Sequence, residues 1–223
     1  MTPHDALTEL LHARHSCRAF RPDPVPRDVI ETILTDAGRA ASWCNAQPWK
    51  IYLTSGDQTE AFRTTMLDAF DTKSSSCDFD PPTGYTGAHL ERRRTCGMQL
   101  YDAVGIGRGD RAARSAQMRE NYRFFGAPHV ALIASAGELG TYGALDCGGF
   151  ITSFCLSAQS QGIATIPQAA LAFYANEVRA FFDIPEDFKV LAAISFGYAD
   201  TDHPANQFRT ERAPLDDLVT WRG

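Results

Sequence analysis

Two arginines flank a serine near the start of the chain, in Arg14-His15-Ser16-Cys17-Arg18, and two more stand near its other end, in Arg209-Thr210-Glu211-Arg212. Such a set can hold a phosphate: the guanidinium offers a planar fork of donors, and serine adds a hydroxyl. A third segment, Ser42-Trp43-Cys44-Asn45-Ala46-Gln47-Pro48-Trp49, carries side-chain amides that both donate and accept. Amides of this kind suit the edge of a flat heterocycle. Each piece also has a plainer reading. Basic residues at a helix end complement its dipole, tail arginines are commonly exposed, and amides in a turn bond local backbone. Taken together, the three pieces point to a phosphorylated, ring-bearing cofactor held by both ends of the chain.

Other chemistries lack their signatures. No Gly-x-Gly-x-x-Gly opens a strand–helix unit, and no Walker-type Gly-Lys-Ser/Thr occurs. Gly105-Ile106-Gly107-Arg108-Gly109 falls between helical stretches and reads as a flexible joint. Gly-x-Ser-x-Gly is absent, and His15-Ser16 has no third group to orient a base. Near Cys44 only backbone dipoles could activate the thiol. The six cysteines and six histidines show no ligand spacing, so no metal is expected. A formal charge of -6 argues against a nucleic-acid partner. No apolar run reaches the length of a membrane span, and no leader pattern opens the chain. The expectation is a cytoplasmic protein with reduced thiols.

The elements that must position these residues follow from periodicity. Thr2-Pro3-His4-Asp5 is a helix start, with a cap, a first-turn proline and an acid at the positive helix end. Ala6, Leu7, Leu10 and Leu11 continue it to about Ala13, so the helix delivers Arg14 at its C-terminal end. Pro22, Pro24 and Pro26 force extended chain, and a second helix spans about 27–40. Strands are expected at 50–54, 129–134 and 189–196, with a short one at 163–166 ending at Pro167. Further helices are expected at about 57–69, 89–103, 110–125, 143–161 and 176–182. Residues 72–87, with Pro81-Pro82, read as a mobile loop that lines the cavity together with the helices after it. The 143–161 stretch is apolar nearly all round and must be covered on every side, by its own domain or by a second subunit. Short strands separated by helices give an α+β class, as one domain over 1–223.

The pieces resemble the signatures of the FMN-dependent nitroreductase superfamily over about residues 7–221. Arg14-His15-Ser16-Cys17-Arg18-Ala19-Phe20 is similar to that family's Arg-x-Ser-x-Arg motif, and Asn45-Ala46-Gln47-Pro48-Trp49 to its Asn-x-Gln-Pro-Trp segment. The stretch 162–170 resembles the one beside the flavin's reactive edge, and 196–200 followed by Arg212-Ala213-Pro214-Leu215 resembles the closing signature. Phe124-Phe125-Gly126-Ala127-Pro128 and Pro167-Gln168-Ala169-Ala170 look most like the nitrobenzoate-reductase branch.

The resemblance implies a central mixed or antiparallel sheet flanked by helices, in an intertwined homodimer with the tail from about residue 200 packed on the partner. It implies FMN as cofactor and NADH or NADPH as reductant, with a nitroaromatic or quinone as acceptor in a ping-pong reaction. Arg14, Ser16 and Arg18 would hold phosphate and flavin pyrimidine, His15 would contribute through its backbone, and Arg212 would bind phosphate. Ser42, Trp43, Asn45 and Gln47 would come from the partner, Pro167, Gln168 and Ala169 would lie against the ring, and Asn121 would add a contact. No side chain is assigned as catalytic, since the flavin carries the chemistry. Dehalogenation, dehydrogenation, flavin fragmentation or non-catalytic flavin binding stay open as alternatives. Trp43 stands where the family often has a small residue and would narrow the cavity. Thr210 stands where some relatives place lysine.

Overall fold

The computed structural model describes all 223 residues. Helix α1 (Pro3–Ala13) begins on a reciprocal cap: Thr2 Oγ1 accepts the Asp5 N–H at 3.2 Å, and the Asp5 carboxylate accepts the Thr2 N–H at 2.8 Å. Helix α2 (Arg27–Ala37) turns Ile30, Ile33 and Ala37 inward and stops at Gly38. Strand β1 (Lys50–Thr54) leads into α3 (Asp57–Thr72). Helices α4 (Gly87–Ala103) and α5 (Arg111–Arg119) follow, then β2 (His129–Ala136). Helix α6 (Gly140–Ser160), β3 (Ala164–Gln168), α7 (Ala175–Phe182) and β4 (Phe188–Gly197) complete the elements.

The four strands form one sheet in the order β1-β2-β4-β3, and every neighbouring pair is antiparallel. Strand β2 is apolar almost throughout because both of its faces are covered. Val130 and Leu132 join a core with Phe62 and Met66 of α3 and Val178 of α7. Ala131 and Ile133 join a second core with Ile33 of α2 and Phe150 and Phe154 of α6. Side chains alternate across a strand, so this split makes a helix–sheet–helix sandwich.

Several boundaries differ from those expected. Strand β3 runs through Pro167 instead of ending there, because β3 is an edge strand and pairs only with β4. An edge strand tolerates a missing N–H on its outer side. The helix expected at 110–125 ends at Arg119, and Phe124 and Phe125 take φ of 59° and 52° before β2. Part of the 72–87 segment is fastened to the fold. The Ser76 N–H donates to the Phe173 carbonyl at 2.8 Å, and Asp78 pairs with Arg179 at 2.8 Å while accepting the Val190 N–H at 2.7 Å.

Three apolar surfaces stay uncovered. Leu7 and Leu11 on α1 are each 50% exposed, Tyr142 and Leu145 on α6 are 58% and 67% exposed, and Leu215, Leu218 and Trp221 stand out from the tail. Helix α6 is thus covered on one side only within the chain.

Candidate functional site

The segment after α1 is held against the edge of the sheet. The Cys17 N–H donates to the Thr165 carbonyl at 3.0 Å, Ser16 bridges Thr165, and Phe20 bridges Ala199. Arg14, Ser16 and Arg18 therefore stand beside β3, with Cys17 buried between them. The tail comes to the same place. Phe208, Arg209, Thr210 and Arg212 line one cavity of about 240 Å³ with Arg14, His15, Ser16 and Arg18.

The electrostatics of this cavity are one-sided. Its lining holds Arg14, Arg18, Arg209 and Arg212 and no carboxylate. None of these four arginines is in a salt bridge, whereas seven other arginines of the chain are. Arg18 is half-buried and donates to the Ser16 carbonyl at 3.2 Å, and burial lowers the pKa of its guanidinium. Burial first, then the charges of Arg209, Arg14 and Arg18, push the His15 imidazole below its ordinary value, against a hydrogen bond to the Ala13 carbonyl. Arginines gathered in one concavity without carboxylate partners repel one another, and an anion bound there would relieve that repulsion.

At Ser16 and Arg18 this cavity meets a second one of about 290 Å³. Pro167, Gln168 and Ala169 form one wall of it, and Tyr101, Gln117 and Asn121 stand on the other. Ala169 is exposed to the space. The Gln168 side chain turns into the sheet instead: its Nε2 donates to the Asn121 carbonyl at 2.9 Å, and its Oε1 accepts from Ser195 at 2.5 Å. Helices α4 and α5 thus border the groove, and no residue of 72–87 lines either cavity.

Residues 42–47 lie elsewhere. They border neither of those cavities. Trp43 and Ala46 line a separate hollow of about 230 Å³ with Leu139 and Tyr142. The loop is fixed to α6, since the Trp43 N–H donates to Asp146 at 2.9 Å and the Trp43 ring meets Tyr142 edge-on at 4.6 Å. Cys44, Asn45 and Gln47 all adopt positive φ, at 49°, 59° and 48°. Such backbone is costly for residues other than glycine and persists only where the surroundings impose it.

A family model for the nitroreductase family matches residues 11–198. The chain belongs to the nitroreductase family. It is similar to the nitroreductase NfnB of Mycolicibacterium smegmatis, with 36% identity over 96% of this chain and 92% of that protein. A 4-nitrobenzoate reductase of Nocardioides is 32% identical over 97% of this chain and 90% of its own length. The crystal structure of the FMN-dependent nitroreductase NfnB from Mycobacterium smegmatis in complex with NADPH superposes with a TM-score of 0.95, at 34% identity and 100% coverage of both chains.

In this nitroreductase-family chain, one residue that organises the groove escaped the sequence reading. Asn206 is buried, its Oδ1 accepts the Arg18 N–H at 2.7 Å, and its Nδ2 donates to the carbonyls of Ala19 at 2.9 Å and Asp200 at 2.8 Å. It joins the two chain ends as a short piece of ladder would. The Pro204–Asn206 turn that presents it, and the Arg18 segment, are separated by nearly the whole sequence. A local signal existed only in the turn chemistry of His203-Pro204.

Proposed function

We infer that this nitroreductase-family protein is an FMN-dependent oxidoreductase that uses NADH or NADPH to reduce nitroaromatics or quinones. The observation that carries the reading is the cavity of four arginines without carboxylate partners, open to the wall of Pro167 and Ala169. That donor set fits a phosphate, and the adjoining cavity has the polar edge and apolar wall that a flavin ring needs. The chemistry supplied when FMN is bound is two-electron transfer at its ring, from NAD(P)H in one half-reaction and to the electron-poor acceptor in the other.

The chain's own residues bind and orient. Arg14, Arg209 and Arg212 would hold the phosphate; Arg212 also donates to Thr210 Oγ1 at 2.9 Å. Arg18, whose charge borders both cavities, would stabilise negative charge on a bound flavin. Pro167 and Ala169 would flank the ring, while Gln168 and Asn121 brace that wall through their mutual hydrogen bond.

The same reading makes the enzyme a homodimer. The uncovered faces of α1, α6 and the tail bury against a second copy, and residues 42–47 of one protomer complete the groove of its partner. Ser42, Trp43, Asn45 and Gln47 then act in trans. No helix is long and apolar enough to cross a membrane, and all six cysteines are free thiols. We assign the protein to the cytoplasm on that basis.

The purified protein should be yellow and should oxidise NADH or NADPH faster once a nitroaromatic is added. A colourless protein that FMN cannot reconstitute would overturn the reading.

A further inference from the structure

The backbone of Gln168 belongs to one wall of the 290 Å³ cavity, and its side chain is bonded to the other. Side chains alternate along β3, so Pro167 and Ala169 border the space while the Gln168 amide turns inward and is only 3% exposed. Its Oε1 accepts from Ser195 Oγ at 2.5 Å, and its Nε2 reaches the Asn121 carbonyl at 2.9 Å and Asn121 Oδ1 at 3.3 Å. A carbonyl can only accept, so the amide nitrogen must face Asn121 and the amide oxygen must face Ser195. Ser195 pairs with Ile166 across β3 and β4, one diagonal step from Gln168, and is fully buried. It lines neither cavity. Its hydroxyl therefore orients the amide from within the sheet.

Asn121 stands on the opposite wall. It follows α5, whose last turn brings Gln117 and Met118 to the cavity, and its N–H and Nδ2 both donate to the Met118 carbonyl, at 3.1 and 3.0 Å. Neither α5 nor α4, which supplies Leu100 and Tyr101, buries a single residue. Core packing of these two helices thus does little to fix where this wall stands. The end of α5 is fastened from two directions. Toward α3, Arg119 pairs with Asp71 at 2.7 Å and Tyr122 stacks on Phe70. Toward β3, the tie is Gln168, and it is the hydrogen bond that joins the two walls to each other.

We propose that Gln168 is a positioning residue that sets the width of the cavity, and with it the size of acceptor admitted. It acts through Asn121 and the end of α5, not by touching the acceptor. The inference rests on the reductase reading of that cavity. With the amide in place the wall of Gln117 and Met118 is drawn toward Pro167 and Ala169, and single-ring acceptors are favoured over larger ones. Without it the α5 end is held from α3 alone and the space widens.

The test compares kcat/KM for nitrobenzene and for 1-nitronaphthalene in FMN-loaded wild type, Gln168→Met and Ser195→Ala. Methionine keeps the length of the side chain but cannot donate to Asn121. Gln168→Met should raise the ratio of two-ring to one-ring acceptor by about fivefold, the size of one ordinary hydrogen bond. Ser195→Ala should raise it by about twofold, although residue 195 lies outside the cavity. Amide hydrogen exchange at residues 111–121, followed in apoprotein and in loaded enzyme, should quicken in the same order. A ratio that stays the same in both variants, whether or not the absolute rates fall, would overturn the proposal. If Gln168→Met fails to fold, Ser195→Ala decides alone. A wild type that reduces neither acceptor would overturn the nitroreductase reading instead. Exchange in the apoproteins would then still decide whether Gln168 positions the end of α5, and unchanged exchange would overturn it.

Discussion

The arginine groove and the loop at residues 42–47 were read from equally short motifs, yet the fold treats them oppositely. The groove is assembled inside one chain: α1, the edge of β3 and the tail bring Arg14, Arg18, Arg209 and Arg212 around a single cavity. The loop is held just as firmly, by Asp146 and Tyr142, but it faces away from that cavity, with Asn45 and Gln47 exposed. A backbone with three positive-φ residues is an expensive way to make a surface turn. The contrast teaches that one chain gathers its arginines inward around a single cavity but presents the amides of Asn45 and Gln47 outward.

The sharpest way to break this comparison is to disable each region in a different chain. Arg14→Ala with Arg212→Ala should weaken FMN binding by about 10- to 150-fold per arginine, since each removes a charge-assisted bond of roughly 1.5–3 kcal/mol. Asn45→Ala with Gln47→Ala should also weaken it. Co-refolding the two double variants should then restore tight FMN binding at about a quarter of the sites, because half of the random dimers are mixed and each has one intact site. Fluorescence titration counts those sites. No recovery in the mixture would mean that the loop acts within its own chain or not at all.

A smaller effect separates the groove from the loop by stability. Asn206→Ala removes three hydrogen bonds, two that fasten the tail to the Arg18–Ala19 segment and one to Asp200 within the tail, and should cost about 3 kcal/mol. The loss should appear as weaker FMN binding and easier proteolysis of the tail, while the Trp43–Tyr142 contact, followed by tryptophan fluorescence, stays as it was. A fluorescence change as large as the loss of FMN binding would show that the two regions are coupled within a chain.

The smallest expected effect is on acid stability. Burial and neighbouring arginines depress the His15 pKa, so the unfolded state binds a proton that the folded state refuses. The stability it contributes is present above the ordinary value of 6.5 and is lost as pH falls through the depressed folded value. Denaturant midpoints should therefore drop on acidification, and less so in His15→Gln. Saturating FMN, whose phosphate neutralises the arginines, should shrink the drop. His129 is depressed in the same direction by burial and adds to the acid sensitivity, since its Nε2 must stay unprotonated to accept the Val25 N–H at 2.9 Å. An identical drop in wild type and His15→Gln would mean that the groove contributes nothing to the effect.

Much of this was legible before any coordinates. The Thr2 cap, the helix it starts and the buried strand at 129–134 follow from local rules of capping and apolar run length, which act over a few residues. The arginine, amide and proline–glutamine segments were visible as residue types. Less legible were Phe124 and Phe125, whose left-handed backbone is imposed by packing against Phe62 and the sheet. The course of β3 through Pro167 was hidden too, because a sequence does not say which strand will lie at an edge.

The sequence alone therefore determined which chemistry was available: four guanidiniums near the chain ends, two amides in a loop beside Pro48 and Trp49, and a set of apolar runs. Tertiary structure decided which of them meet. Arg14 and Arg212 come together, and Gln168 is drawn away from the cavity to Ser195 and Asn121, because pairing β3 with β4 and clamping Asn206 on Arg18 fix distances that no spacing along the chain encodes. Local interactions are set by neighbours a few residues away, whereas a site built from both termini exists only once the sheet has closed between them.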